Sequence, residues 1–272
     1  MTNRISQRFA KAAAENRGTL GVFVSAGDPD RKTSEAILDQ LVAAGVDFIE
    51  LGMPFSDPMA DGPAIQAASL RAIKGGMDLR QTLDMASAFR QRHPDTPLIL
   101  MGYFNPIYIY GRDKFLEDAT KAGVDGLIIV DLPPEEDAEL CDPAIAADLS
   151  FIRLVTPTTF GARLQRVLEK AGGFVYYVAV AGITGTKSAE AASIEAAITR
   201  IRAETDLPVV TGFGIRTPEQ AAEAAKLGDG VVVGSAVVDI IAAGAEAGET
   251  GNKLADKVGA FTATLAQAMK RS

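Results

Sequence analysis

The chain has 272 residues, of which 47% are hydrophobic and 23% charged, and its formal net charge is −8. This composition allows a large buried core and excludes a disordered chain. The negative charge argues against nucleic acid or an anionic membrane as the main partner, although local dipoles could still bind a small phosphorylated ligand. One cysteine, Cys141, excludes an internal disulfide framework. No segment resembles a signal peptide or a membrane span, so the predicted location is cytoplasmic.

In chain order, residues 1–18 predict an amphipathic helix with Ile5, Phe9 and Ala12 or Ala13 on one face. The rest of the chain repeats an apolar run, a Gly/Pro/Asp turn and a helical stretch. The eight predicted strands lie within 19–27, 46–54, 97–105, 125–133, 149–157, 173–182, 207–215 and 229–238. Their nearly continuous apolar character is typical of parallel strands that are buried on both faces. Helical patterns between them include 34–45, 78–92, 113–123, 162–172 and 218–228.

This alternation predicts an α/β fold, a (β/α)8 TIM barrel with an extra N-terminal helix, in a single domain over 1–272. The strand count alone leaves a doubly wound open sheet as an alternative. Two connections are unusually long: the one after the second strand, and the polar segment 183–195 after the sixth, which is interpreted as a loop. In a barrel both lie at the C-terminal face, where active sites are built.

Two carboxylates lie in and just after the second predicted strand. Glu50 lies inside the apolar run and Asp61 in the Gly/Pro-rich loop that follows. If Glu50 faces the barrel mouth, apolar surroundings raise its pKa and suit it to give and take a proton, whereas a better solvated Asp61 stays ionised. Two alternatives remain open: Glu50 as the buried partner of an arginine such as Arg153, and Asp61 as a turn former. A metal site is disfavoured because the only histidine, His93, lies in a polar helix-end segment.

Glycine-rich turns follow the last three predicted strands, at 182–185, 212–215 and 234–236. Backbone N–H groups in such turns, and a helix beginning after Gly234-Ser235, can bind phosphate at the position where barrel enzymes commonly do so. Simple tight turns are the alternative interpretation. The side chains that could fill the space between phosphate and carboxylates, and would suit a flat aromatic substrate, are Phe23, Leu100, Tyr103, Leu127, Tyr176 and Phe213.

These segments resemble one family closely, the α subunit of tryptophan synthase. The likeness is carried by ELGMPFSDPMADGPAIQ, which includes Glu50 and Asp61, and by GDPD, MGYFNPIYIYG, GLIIVDLPPEE, AGITGT, GFGIRTPEQ and VVGSAVV. It extends over nearly the whole chain.

The resemblance implies a retro-aldol lyase that cleaves indole-3-glycerol phosphate into indole and glyceraldehyde 3-phosphate. It implies that Glu50 is the acid/base, that Asp61 acts at the indole N–H, and that Thr184 hydrogen-bonds Asp61 when its loop closes. The phosphate contacts carried over are Gly185, Gly214, Gly234 and Ser235. The indole contacts carried over are Phe23, Leu100, Tyr103, Leu127, Tyr176 and Phe213.

The resemblance also implies an α2β2 heterotetramer in which a β subunit holds pyridoxal phosphate and receives the indole. This chain is expected to need no cofactor and no metal. The expected contacts with the β subunit are Pro54, Asp57 and Asn105.

Three departures from the family pattern stand out. Ala179 replaces a common serine, Ser25 replaces a usual threonine, and the turn before the eighth strand is one residue short. None of them removes a proposed catalytic group, although the shorter turn could shift the phosphate end.

Two other enzyme functions and one non-catalytic role are alternatives to this interpretation. A pentose-phosphate type epimerase would need metal-binding histidines, and an indole-glycerol-phosphate synthase would show a lysine on an early strand, which neither 22–30 nor 47–54 contains. A catalytically silent subunit that only activates a β partner belongs to a different class, and both carboxylates argue against it.

Overall fold

The computed structural model describes residues 3–178, 187–212 and 214–270, in which nine parallel strands form one sheet surrounded by helices. The strands are β1 (Thr19–Ser25), β2 (Phe48–Gly52), β3 (Leu98–Gly102), β4 (Gly126–Ile129), β5 (Ser150–Phe151), β6 (Arg153–Val155), β7 (Val175–Val178), β8 (Val209–Gly212) and β9 (Gly230–Val233).

Helices precede β1, follow β9 and separate every pair of consecutive strands except β5 and β6. They are α1 (Arg4–Ala14), α2 (Arg31–Ala43), α3 (Pro63–Lys74), α4 (Leu79–Arg92), α5 (Phe104–Tyr110), α6 (Arg112–Lys121), α7 (Cys141–Ala146), α8 (Ala162–Leu168), α9 (Lys187–Arg202), α10 (Pro218–Leu227), α11 (Ser235–Glu246) and α12 (Gly251–Ala268), with a 3-10 helix at Pro134–Glu139.

The sheet closes into a barrel. The strand order is β5-β4-β3-β2-β1-β9-β8-β7-β6, and only Ile152 separates β5 from β6. β5 and β6, at the two ends of this order, are therefore halves of one bent strand that pairs with β4 on one side and β7 on the other. The predicted TIM barrel is confirmed, and the open doubly wound alternative is wrong.

Every predicted run contains an observed strand, although the strands are shorter than the runs. The run 97–105 is a strand only to Gly102 and continues as α5 from Phe104. The run 229–238 is a strand only to Val233 and continues as α11 from Ser235. The segment 183–195 is not all loop, because α9 begins at Lys187. The alanines and glutamates of this segment are good helix formers. They favour a helix, although the small and polar residues of the segment had suggested a loop.

The core has two layers, inside and outside the barrel wall. Inward side chains form an inner cluster that contains Phe48, Ile99 and Phe174, while alternate strand positions pack outward against the helices. Helix α1 covers the N-terminal end, where the Phe9 ring lies 6.1 Å from Phe48 and 5.7 Å from Phe174. Ala12 is the buried alanine of this helix, which decides between the two predicted positions.

Three aspartates at the N-terminal end of the barrel tie neighbouring strands together. Asp47, Asp125 and Asp229 each stand just before a strand and also pair with an arginine. They accept the backbone N–H groups of Leu20, Leu98 and Val209 at 2.9, 2.8 and 2.8 Å. Asp229 belongs to the shortened turn, and β9 still pairs with both β1 and β8.

Asp47→Asn is expected to lower the free energy of unfolding by about 3 kcal/mol, because it breaks a buried ion pair and leaves Arg17 with only the exposed Glu15 as a charge partner. The Arg17 guanidinium contacts both carboxylate oxygens of Asp47, at 2.6 and 2.8 Å. Urea unfolding measures the change. Glu117→Gln, which removes an exposed helix-surface pair with Lys121, is the control and should leave the midpoint unchanged. Equal midpoints for both variants would contradict the role given to Asp47.

Candidate active site

A cavity of about 510 Å³ opens at the C-terminal end of the strands, the end at which β2, β8 and β9 present the predicted functional residues. Its walls are Phe23, Glu50, Ala60, Asp61, Ile65, Met101, Val130, Leu154, Thr156, Tyr176, Val178, Gly212, Gly214, Val232, Gly234 and Ser235. Both carboxylates, two of the glycine turns and two aromatic side chains, Phe23 and Tyr176, therefore share one space.

Glu50 is the central acid of this cavity. It occupies the middle of β2, where Phe48 belongs to the inner cluster while Ile49 and Leu51 face the helices. The residue is 1% exposed, and neither carboxylate oxygen has a hydrogen-bond partner among the described residues. Burial raises its pKa to about 8, so the carboxyl group is protonated at neutral pH.

The Tyr176 phenol faces the same space from β7. Burial, and then the charge of Glu50, raise the pKa of Tyr176 well above its ordinary range. Both side chains therefore line the mouth of the barrel.

Asp61 lies in the loop between β2 and α3 and is only half-buried. Its backbone is held in place, since its N–H donates to the Pro58 carbonyl at 3.0 Å and its carbonyl accepts from Gln66 Nε2 at 2.8 Å. Burial raises its pKa to about 6, and the hydroxyl of Tyr103 opposes that rise. Asp61 is therefore mostly ionised at pH 7, whereas Glu50 is mostly protonated.

The glycine turns after β8 and β9 line the same cavity as Glu50. Gly214 follows β8 with φ at +62°, a conformation that favours glycine, and Gly234 precedes α11. Ser235 is the first residue of α11, so the partial positive charge of the helix N-terminus points at the cavity. An anion held here would be bound by backbone dipoles.

Two of the predicted ring contacts are wrong. Leu100 and Leu127 are fully buried in the outer layer, between strands and helices, and do not line the cavity. Adjacent strand positions point to opposite faces, so their neighbours Met101 and Ile128 face inward instead.

The remaining predicted contacts fall into three groups. Phe23 and Tyr176 line the cavity. Tyr103 stands beside it, in a small adjoining space next to Asp61, and its hydroxyl accepts the Ala60 N–H at 2.9 Å. Thr184, Gly185 and Phe213 lie outside the described residues, as does Ala179.

Sequence reasoning missed most of the wall opposite the glycine turns. Met101, Val130, Leu154 and Thr156 come from β3, the end of β4, and β6 with the turn that follows it. An alternation of inward and outward side chains along each strand could have identified them. Runs that are apolar at every position do not show this alternation.

The orientation of the Arg153 side chain on β6 excludes this residue as a partner for Glu50. Arg153 points outward, where it pairs with the buried Asp137 and donates to the Leu132 carbonyl at 3.1 Å. His93 lies at the other end of the barrel and contacts Asp39 at 2.7 Å. Glu50 is therefore a buried carboxyl group without a cationic partner in the described parts of the chain.

A second, more open groove of about 690 Å³ runs beside α1 at the N-terminal end of the barrel. Its arginines are already paired, Arg17 with Asp47 and Arg202 with Asp229. Barrel enzymes place their chemistry at the opposite end, so this groove is not the candidate site.

The predicted partner contacts lie at the C-terminal end of the strands, in the loop after β2 and in α5, which follows β3. Asp57 and Asn105 are exposed and Pro54 is half-buried. Large apolar side chains are exposed in the same two segments: Met59 by 77% in the loop, and Tyr108 by 66% and Ile109 by 77% in α5.

Comparison with known proteins identifies the family. The profile described as "Tryptophan synthase alpha chain" matches residues 9–270. A tryptophan synthase subunit alpha from Legionella pneumophila str. Paris is 38% identical, with a TM-score of 0.91 and 99% of each chain covered. A Mycobacterium tuberculosis tryptophan synthase structure is 34% identical, with a TM-score of 0.89 and 100% of each chain covered. On this profile match and these two likenesses, the chain belongs to the tryptophan synthase alpha chain family.

Proposed function

We propose that Glu50 carries the proton transfers of the reaction that this family performs, and that Asp61 stabilises the positive charge that forms on the indole ring. The chain is a carbon–carbon lyase of tryptophan biosynthesis, which cleaves indole-3-glycerol phosphate into indole and glyceraldehyde 3-phosphate. The observation that carries the residue roles is the divergence of two carboxyl pKa values in one cavity, about 8 for Glu50 and about 6 for Asp61.

The reaction begins with a protonated acid. Glu50 gives its proton to C3 of the indole ring, which becomes an indolenine cation. The ionised Asp61 accepts a hydrogen bond from the ring N–H and stabilises the positive charge as it develops.

The same group then completes the cleavage. The Glu50 carboxylate takes the proton of the hydroxyl on the glycerol carbon that is attached to the ring. The bond between that carbon and C3 breaks, its electron pair restores the aromatic ring, and the carbon leaves as the aldehyde. Glu50 ends protonated, so the cycle needs no net proton.

Binding follows from the two ends of the cavity. The phosphate group is proposed to lie against Gly214, Gly234 and Ser235, where the N-terminus of α11 favours an anion. The ring then occupies the apolar part near Phe23 and Met101. Gly185, Phe213 and Thr184 remain predictions for phosphate binding, ring binding and loop closure.

The pH dependence of kcat/KM is expected to be bell-shaped, with limbs near 6 and 8. Activity falls below the lower limb as Asp61 gains a proton, and above the upper limb as Glu50 loses one. Tyr103→Phe removes the hydroxyl that holds down the pKa of Asp61, so the acid limb should move to higher pH while the basic limb stays in place. Initial rates of indole release between pH 5 and 9.5 measure both limbs; an acid limb that does not move in Tyr103→Phe would contradict the role of Tyr103.

A β subunit of tryptophan synthase is the proposed partner, and the proposed assembly is α2β2. The exposed apolar side chains of Met59, Tyr108 and Ile109 support docking at the cavity rim, because solvent-exposed apolar groups of this size gather at interaction sites. Pro54 and Asp57 lie in the loop that holds Met59, and Asn105 lies in α5 with Tyr108 and Ile109. Indole released there would pass to the pyridoxal phosphate of the partner.

The chain itself is proposed to work without a cofactor, because the steps above need only the two carboxyl groups and the substrate. Within the described ranges, no three His, Cys, Asp or Glu side chains gather in a group that could hold a metal ion. None of the described helices has the length and apolarity that a membrane crossing requires. The cytoplasmic location remains a prediction.

The test of the function is indole release from indole-3-glycerol phosphate by the isolated chain, with and without added β subunit. Measurable release by the chain alone, raised by the partner, is the expected result. Release only with the partner, unchanged by substitution of Glu50, would support the silent-subunit alternative instead.

A further inference from the structure

The wall of the cavity that faces away from the glycine turns is apolar except at one position. Around the barrel, β3 and β4 lie opposite β8 and β9, and β6 adjoins this sector through its link to β5. The wall consists of Met101, Val130, Leu154 and Thr156. Under the proposed function, on which this inference rests, the phosphate and the ring N–H are held elsewhere, so the benzo part of the indole meets this wall.

Strand alternation directs Thr156 toward the cavity. Ile152 and Leu154 belong to the inner layer, whereas Arg153 and Val155 point outward. Thr156 is the next inward position, immediately after β6, and it lines the cavity.

The turn that follows holds the Thr156 hydroxyl in place. Its Oγ1 lies 2.9 Å from Thr158 Oγ1 and 3.1 Å from Thr159 Oγ1. The Thr156 N–H also donates to Thr159 Oγ1 at 3.2 Å, and the Thr159 N–H donates to the Thr156 carbonyl at 3.0 Å. A hydroxyl group offers one donor and two acceptor positions, so Thr156 Oγ1 has one position left for a ligand after these two contacts.

We propose that Thr156 is a specificity-determining residue, which lets the site accept indole rings that carry a hydroxyl group on the benzo ring. The unsubstituted ring is still bound, because the neighbouring threonines already satisfy most of the hydrogen-bonding capacity of Thr156. A ring hydroxyl gains one further hydrogen bond in a wall that otherwise offers none. The flexible thioether of Met101 can adjust to the added atom.

The test uses the reverse reaction, the condensation of glyceraldehyde 3-phosphate with indole or with each of 4-, 5-, 6- and 7-hydroxyindole. The measured quantity is the ratio of kcat/KM for a hydroxyindole to that for indole, in the wild type and in Thr156→Val, which keeps the shape and removes the hydroxyl. For at least one isomer the ratio should fall about ten-fold, the effect of one net hydrogen bond. Thr156→Ser should restore most of it.

Thr120→Val is the matched control, because it removes a threonine hydroxyl that donates to the Leu116 carbonyl in α6 and does not line the cavity. Its ratios should stay at the wild-type values. Ratios in Thr156→Val equal to the wild type for all four isomers, or an equal fall in Thr120→Val, would overturn the assignment to Thr156. A wild-type chain that condenses neither indole nor any hydroxyindole would instead overturn the proposed function.

Discussion

Glu50→Gln is expected to reduce indole release by about 10³-fold or more, since glutamine can neither give nor accept the proton that both halves of the cleavage require. The amide has nearly the same shape as the carboxyl group, so the cavity and the binding of substrate should change little. The loss should therefore appear in kcat rather than in KM. Steady-state rates with indole-3-glycerol phosphate measure it, and wild-type turnover in the variant would refute the assignment.

The same substitution should stabilise the protein at neutral pH. The folded chain holds the carboxyl group with a pKa of about 8 against 4.5 in the unfolded chain, so the unfolded state binds fewer protons between these values and stability falls as pH rises. At pH 7 this cost is about 3 kcal/mol, at about 1.4 kcal/mol for each pKa unit. Below pH 4.5 it vanishes, and above pH 8 it is constant.

Glutamine does not titrate, so the difference in unfolding free energy between Glu50→Gln and the wild type should grow from pH 5 to pH 8. Urea unfolding at these two values measures it. Asp47→Asn provides the contrast, since it removes a paired buried carboxylate and should destabilise the chain. A difference that is flat with pH would show that Glu50 is not the isolated buried acid described above.

Asp61→Asn is the second large effect, with an expected loss of about 10²–10³-fold in kcat. The asparagine carbonyl can still accept the indole N–H, but it carries no negative charge to stabilise the cation that forms on protonation at C3. The acid limb of the pH profile near 6 should disappear, because the group that produces it no longer titrates.

Ser56→Ala, in the same loop, controls for disturbance of the loop backbone and should keep both the rate and the acid limb. Stopped-flow or steady-state indole release over pH 5–7 gives the comparison. A normal rate in Asp61→Asn would contradict the catalytic role and support the alternative that Asp61, next to Gly62-Pro63, only forms a turn.

Local patterns determined the fold and the two acids. Apolar runs alternating with helical stretches predict an α/β fold without long-range information, and the choice between a closed barrel and an open sheet needed the observed strand order. Glu50 stands out because a carboxyl group inside an apolar run is costly unless it acts, and Gly234-Ser235 before a helix marks an anion site by the same local logic. Even the amphipathic face of α1, with Ile5 and Phe9, could be predicted from spacing alone.

Tertiary structure alone decided which groups meet. Strands buried on both faces show no alternation, and a shift of one residue reverses the direction of every side chain, so the inward position of Met101 and the outward position of Leu100 could not be distinguished in advance. Nor could the sequence show that Arg153 turns away to Asp137, which leaves Glu50 unpaired and raises its pKa. Which groups pair and which are buried depends on residues that are far apart in the chain, so only the folded barrel determines both.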